Sequence, residues 1–205
     1  MTPKRTAPRW GAVAIVFAIV ALIAVLPERY RILPNWVSYL EVAILIVPMA
    51  LVSLTHGKAF WQRAERLAEF VVIGGALFLN AANVVIVAYN VVENPGTLQP
   101  IPLFYTSVGI WTGNILIFAL IYWLVDSGGP DRRLDGKVLY PDFNFPAMEE
   151  DAPVAPNWRP EIVDYLFLAF TTTTAFSPTE AMPLTSRAKF LVMIQSGISL
   201  ITIAV

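Results

Sequence analysis

The chain has 205 residues, 57% hydrophobic and 14% charged, with a formal net charge of −1. Soluble domains run at about 45–50% apolar and about 25% charged usage, so this composition belongs in a bilayer and lacks both the basic surplus that holds nucleic acid and the acidic surplus of a solvating tail. No cysteine is present, which removes disulfides, thiolate metal sites, iron–sulfur clusters and thiol nucleophiles together.

The N-terminus carries Lys4, Arg5 and Arg9 ahead of an apolar run from Trp10 to Leu26. A secretory signal would end in small residues at a cleavage site; here Pro27, Glu28 and Arg29 follow directly, and the run reads as a retained first span. A transmembrane helix needs about 20 mostly apolar residues. Trp10 to Leu26, Pro34 to Thr55, Leu67 to Val92 and Pro102 to Val125 meet that requirement, and Phe190 to Val205 is apolar enough for a last span. That run stops at Val205 with no basic residue or polar tail, as in a chain cut inside or just after a span. Trp10, Tyr30, Trp36, Tyr39, Trp61, Tyr105, Tyr122 and Trp123 lie near the expected span ends, where interfacial aromatic belts form. The fold class expected is all-α, a polytopic transmembrane helix bundle: 1–101 forms a three-span region, and 102–205 holds a span, a connector at 126–160, a half-helix hairpin at 161–186 and the final span.

Loop lysines and arginines set orientation. They gather at the N-terminus and at Lys58, Arg63 and Arg66 in the second loop, which places the N-terminus in the cytoplasm of an integral cell-membrane protein. His56, the single histidine, lies beside Gly57 and Lys58 and reads as a surface or interfacial residue.

Several polar residues fall inside the expected spans. Glu41 in the second span is an ionisable group in lipid, a functional candidate by default, although about two turns from Pro34 it is also placed to snorkel to the interface. Asn80 and Asn83 share one face of the third span, and Asn114 and Gln195 add amides to the fourth and the last. Interhelical hydrogen bonding, about 0.6 kcal/mol each in membranes, is the favoured role for these amides over a polar conduit. Gly109 and Gly113 form a small-residue face on the fourth span that would admit a partner helix.

The connector is punctuated by Gly128, Gly129, Pro130, Pro141, Pro146, Pro153, Pro156 and Pro160, so it holds no long helix. Its acids, Asp131, Asp135, Asp142, Glu149, Glu150 and Asp151, read as a solvated run. From Glu161 an apolar helix-like run, Tyr165 to Phe170, leads into four consecutive threonines, Thr171 to Thr174. It is short for a span, and Pro178 and Pro183 stop it continuing. A half-helix with an irregular return is the pattern of a re-entrant hairpin, tolerated at membrane depth only inside protein or beside water. The threonine hydroxyls can bond back to carbonyls one turn away or offer oxygen to a cation.

A span, a polar connector, a half-helix ending in Thr173 and Thr174, an irregular strand, the stretch Pro183, Thr185, Arg187 and Ala188, and a final span resemble the pore module of two-span potassium channels over about the last half of the chain. The same stretch, with Phe145 and Pro146 before Asp164 and Tyr165, resembles an uncharacterised family of bacterial inner-membrane proteins. The first resemblance implies a channel-like fold, assembly as a homo-oligomer and a monovalent ion as the transported species. The filter departs from the channel pattern: Thr174, Ala175, Phe176, Ser177 and Pro178 contain no glycine, and glycine supplies the positive φ angles that turn successive carbonyls inward. A standard potassium-selective filter is not expected. Orientation also conflicts, since an inside N-terminus and four spans put the hairpin on the cytoplasmic face. Either the module is inverted, or Tyr165 to Glu180 crosses as a short span, or the loop charges misreport the orientation.

The expected function is channel-like or transport, with Thr171, Thr172, Thr173, Thr174, Phe176, Ser177 and Glu180 on the ion path. The alternative is a structural or accessory membrane module with the hairpin packed dry. No phosphate loop, zinc-ligand pair or nucleophile–base pair is present, so no enzymatic activity and no cofactor are expected.

Overall fold

The computed structural model describes residues 10–25, 43, 59–94, 96, 99–134, 140–148, 158–175 and 181–204. The expected second span, Pro34 to Thr55, lies outside the described residues apart from Ala43, as do Glu41 and His56. Among the described residues the elements are α1 (Trp10–Val25), α2 (Ala59–Glu93), α3 (Pro100–Val125), a 3-10 turn (Asp126–Gly128), α4 (Pro130–Leu134), β1 (Phe143–Asn144), a second 3-10 turn (Pro146–Met148), α5 (Ile162–Ala175), β2 (Met182–Pro183) and α6 (Ser186–Ala204).

Among the described residues three stretches are long and apolar enough to cross a membrane: Leu67–Glu93 of α2, Pro100–Gly128 running from α3 into the turn, and Ser186–Ala204. Their outward faces carry Phe78, Val85, Tyr89, Phe190, Met193 and Leu200, each more than half exposed. Such continuous apolar faces are a liability in water and the required surface in lipid. α1 is shorter, 16 residues, or about 24 Å at 1.5 Å per residue.

The described residues fall into two compact units, one of residues 16–113 and the other of residues 114–204 with the chain up to Ile15. In the first unit Ile19, Val72, Ala76, Val84, Val87 and Ile110 form the core. Gly113 there is faced by Leu22 and by the Asn80 Oδ1, so this half of the small-residue face expected to meet a partner helix is covered from within the chain.

In the second unit the later part of α3 is central. Ile117, Phe118, Ala119, Leu120 and Tyr122, successive around the helix, are all buried, as befits a helix surrounded by protein. α3 runs opposite to α6: the Arg187 Nη2 donates to the Val125 carbonyl at one end, and the Asn114 amide donates to the Gln195 carbonyl further along. α5 opens with reciprocal bonds between Glu161 and Asp164, the Glu161 N–H to the Asp164 Oδ2 at 2.6 Å and the Asp164 N–H to the Glu161 carbonyl at 3.1 Å. This back-bonding from the third helical residue satisfies donors the first turn leaves free.

α5 and α6 are consecutive helices that run in the same direction. Tyr165, near the start of α5, is tied to Asp126 at the end of α3, the level at which Arg187 opens α6. Thr173, near the end of α5, meets Gln195 and Ser199 farther along α6. Two consecutive helices packed side by side are normally antiparallel with a short connection; a parallel pair requires the chain to travel back between Ala175 and Ser186. The antiparallel pairing of β2 with β1, Phe143 opposite Pro183 and Asn144 opposite Met182, holds the returned chain against the connector.

Candidate functional site

Two buried polar clusters organise the second unit, one at the end where α3 stops and α6 starts, the other inside the α3, α5 and α6 packing.

The first begins with a reversal. After Asp126, Ser127, Gly128 and Gly129 take φ of 57°, 76° and 106°, the left-handed region that glycine enters without a Cβ penalty. At Gly128 a Cβ would also press on the Arg132 side chain. The turn folds the chain over its own helix end, where the Arg133 Nη1 donates to the Trp123 and Asp126 carbonyls at 2.8 Å each. These are carbonyls that a helix C-terminus leaves without partners.

Asp126 and Asp142 are each fully buried and face one another through backbone. The Asp126 Oδ1 accepts from the Asp142 N–H at 2.8 Å and the Ser127 hydroxyl at 3.1 Å. Its Oδ2 accepts from the Tyr165 hydroxyl at 2.5 Å, and the Arg133 guanidinium lies 3.9 Å away and over the Tyr165 ring, 5.1 Å from its centroid. The Asp142 Oδ2 accepts from the Ser127 N–H at 2.8 Å and from the Arg187 Nη2, while its Oδ1 accepts from the Thr185 hydroxyl at 2.6 Å and the Arg187 Nε at 2.5 Å. Burial by itself pushes the Asp142 carboxyl up, but the Arg187 guanidinium, the Thr185 hydroxyl and the Ser127 N–H together hold it below the usual carboxylate range.

Thr185 also accepts from the Ala188 N–H at 3.3 Å and so caps the first turn of α6. Around these charges Phe143, Phe145, Tyr122 and Tyr165 stack edge to face, with centroid separations of 4.9 Å for Tyr122–Phe143 and 5.4 Å for Phe145–Tyr165. The connector, expected as a solvated run, therefore contains two acids and two aromatic residues of the core. Asp142 is buried because its carboxylate meets a guanidinium and two neutral donors, which the count of charges along the loop does not register.

The second cluster centres on Gln195, fully buried on α6. Its Oε1 accepts from the Tyr122 hydroxyl of α3, and its Nε2 donates to the Ala169 carbonyl at 2.8 Å and the Thr173 Oγ1 at 2.7 Å on α5. Its carbonyl accepts from the Asn114 Nδ2 at 3.2 Å, and the Ser199 hydroxyl donates to the Thr173 carbonyl at 2.8 Å. One amide thus joins three helices.

Of the residues the sequence singles out, Asn114 and Gln195 are brought together as interhelical partners. Asn80 is buried in the other unit, its Nδ2 without a partner among the described residues, and Asn83 there is half-buried. The Thr171 hydroxyl donates to the Phe167 and Leu168 carbonyls and the Thr174 hydroxyl to the Phe170 carbonyl, the local back-bonding that threonine offers in helices. Thr172 and Thr173 are fully buried and Thr174 is exposed. Phe176, Ser177 and Glu180 lie outside the described residues. Asp126 and Asp142 were not singled out as site residues; the signal available for Asp126 is its place between an apolar run and Ser127-Gly128-Gly129, a helix stop with an acid at its base.

No protein-family model, curated protein or solved structure matches this chain. What the two clusters can do is read from their own geometry. They fix both ends of α5 against α3 and α6, one end by charge and the other by a buried amide.

Proposed function

We propose that the chain is a channel-like or transport membrane protein in which α5 is a re-entrant half-helix, flanked by α3 and α6 as spans. The observation that carries this reading is the shared direction of α5 and α6. The end of α3, the start of α5, the β1–β2 pair and the start of α6 gather at one level through Asp126, Asp142, Tyr165 and Arg187. Entering and leaving the bilayer on one face is what such an arrangement requires. From Ala175 to Ala181 is six peptide steps, about 20 Å of extended chain, enough to return from the depth of Ser199.

At 14 residues, α5 is about 21 Å long, short of the roughly 30 Å hydrocarbon core. Its C-terminus then delivers the negative end of the helix dipole inside the membrane, where it favours a cation. In the sequence Phe176, Ser177 and Glu180 follow α5, and this reading gives Phe176 the role of a constriction and Glu180 that of a mouth charge. The threonine hydroxyls act as internal fasteners in this reading, since Thr171 and Thr174 donate to their own helix and Thr173 accepts from Gln195. Backbone carbonyls at the end of α5 are left as the groups to face a monovalent ion. Several copies of the chain gathering their hairpins around one path, in the manner of the two-span potassium channels it resembles, complete the proposal. The absence of glycine between Thr174 and Pro178 sets it apart from a standard potassium filter.

The full burial of Thr172, Thr173 and Gln195 favours the second reading, a structural or accessory module whose hairpin is dry. The two separate in liposomes containing the purified chain. Monovalent-cation flux that a membrane-impermeant thiol reagent blocks from one side in Ser177→Cys or Glu180→Cys supports the channel-like reading. Absence of flux, with both positions and Phe176→Cys unlabelled until detergent is added, supports the accessory one.

A further inference from the structure

Hydroxyl side chains inside membrane helices have a default partner, the carbonyl three or four residues back. Thr171, Thr174 and Thr202 all take it. Among the described residues three other side-chain oxygens, one on each of α3, α5 and α6, find no partner: the Asn114 Oδ1, the Thr172 Oγ1 and the Ser196 Oγ, all shut off from the surface. Asn114 is 1% exposed and Thr172 0%. Each adjoins a bonded member of the Gln195 cluster. The Asn114 amide donates to the Gln195 carbonyl, Ser196 follows Gln195, and Thr172 precedes Thr173, which receives the Gln195 amide.

We propose that α3, α5 and α6 enclose a water-holding site beside Gln195, in which these three oxygens bond to ordered water. A buried hydroxyl or amide oxygen without a partner is costly, and buried waters make about three hydrogen bonds each to groups of this kind. The donors and acceptors are neutral, which fits water. A cation stripped of its shell calls for about six or more oxygens, carboxylates commonly among them, and the cluster offers three neutral ones. The buried face of α6 continues the polar character through Ser199 and Thr202. In this proposal water meets α5 at the buried Thr172, apart from its exposed end at Thr174. The site stands whether or not the hairpin conducts.

The test is the sign of a near-isosteric substitution in the full-length chain. If the Thr172 hydroxyl bonds to water, Thr172→Val removes a hydrogen bond and lowers the midpoint of thermal unfolding in detergent by about 2–4 °C. If that hydroxyl is dry and unpaired, its removal leaves the midpoint unchanged or raises it, which overturns the proposal. X-ray radiolysis of the chain in liposomes with isotopically labelled water gives a second reading at Tyr122. Incorporation of solvent oxygen into its ring is expected in the native chain and is lost in a Thr172→Val, Ser196→Ala double variant. A Tyr122 ring that stays unlabelled in the native chain also overturns it.

Discussion

Arg187 reaches back across 45 residues to hold both carboxylate oxygens of Asp142, its Nε on Oδ1 at 2.5 Å and its Nη2 on Oδ2. The acid is fully buried while the arginine side chain is 56% exposed, so the pair is anchored on one side and wet on the other. It ties the connector to the first turn of α6 and, through the Ser127 N–H, to the reversal after α3.

Removing the guanidinium strands a buried carboxylate. Loss of one partner of a buried pair costs about 3–5 kcal/mol; the exposure of the Arg187 side chain brings the expectation for Arg187→Ala below that range, to about 2–3 kcal/mol. Arg187→Lys recovers only part of it, because an ammonium lacks the planar fork that meets both oxygens. Thermal or denaturant unfolding of the two variants beside the native chain measures both effects.

The same pair sets a pH dependence. The Asp142 carboxyl is held below its ordinary value of 3.8, so its contribution is complete above that unfolded value and is lost as pH falls through the lower folded one. Unfolding midpoints of the native chain minus those of Asp142→Asn are expected to be flat from neutrality down to about pH 5 and to shrink below about pH 4. A difference that shrinks between pH 7 and 5 instead would contradict the assignment.

Gln195 is predicted to be the least replaceable amide in the second unit. Gln195→Leu keeps the volume but leaves the Tyr122 hydroxyl without its acceptor, at about 1–3 kcal/mol for the stranded group, and removes a donor from the Thr173 Oγ1 and from the Ala169 carbonyl, which keeps its place in the α5 ladder. Combining it with Tyr122→Phe removes one stranded group, so the double variant should be more stable than the sum of the single losses implies. A double-mutant cycle on unfolding free energies reads this coupling directly.

Gly11 is set against Ile162: a Cβ at Gly11 would overlap the Ile162 side chain. Gly11→Ala is expected to destabilise by about 1–3 kcal/mol, the usual cost of overpacking, and Ile162→Ala to relieve it. Without a contact between α1 and α5 the two substitutions would simply add.

Three of the five expected spans correspond to helices of membrane-crossing length, legible because their signal is local. Leu67 to Val92, Pro102 to Val125 and the last run correspond to helical stretches Leu67–Glu93, Pro100–Gly128 and Ser186–Ala204, and the helix-like run expected from Glu161 is helical over Ile162–Ala175. Apolar length and proline stops suffice for that. The charged cluster was not legible, because burial of Asp126 and Asp142 depends on donors 16 to 45 residues away along the chain. Thr185 and Arg187 stood out only through resemblance to a pore module, which gave no hint that their partner is Asp142. Nor does any residue pattern encode the direction of α5 relative to α6; it emerges from which groups of α5 the Gln195 and Ser199 side chains meet.

That direction is the central claim, and the absence of native cysteine makes it directly measurable. Single Met148→Cys and Leu184→Cys variants, at exposed positions before and after α5, are labelled in sealed vesicles with a membrane-impermeant thiol reagent applied from one side and then the other. A re-entrant α5 predicts that both cysteines react from the same side. Reaction from opposite sides would mean that the chain crosses the membrane between Met148 and Leu184, and would contradict the account.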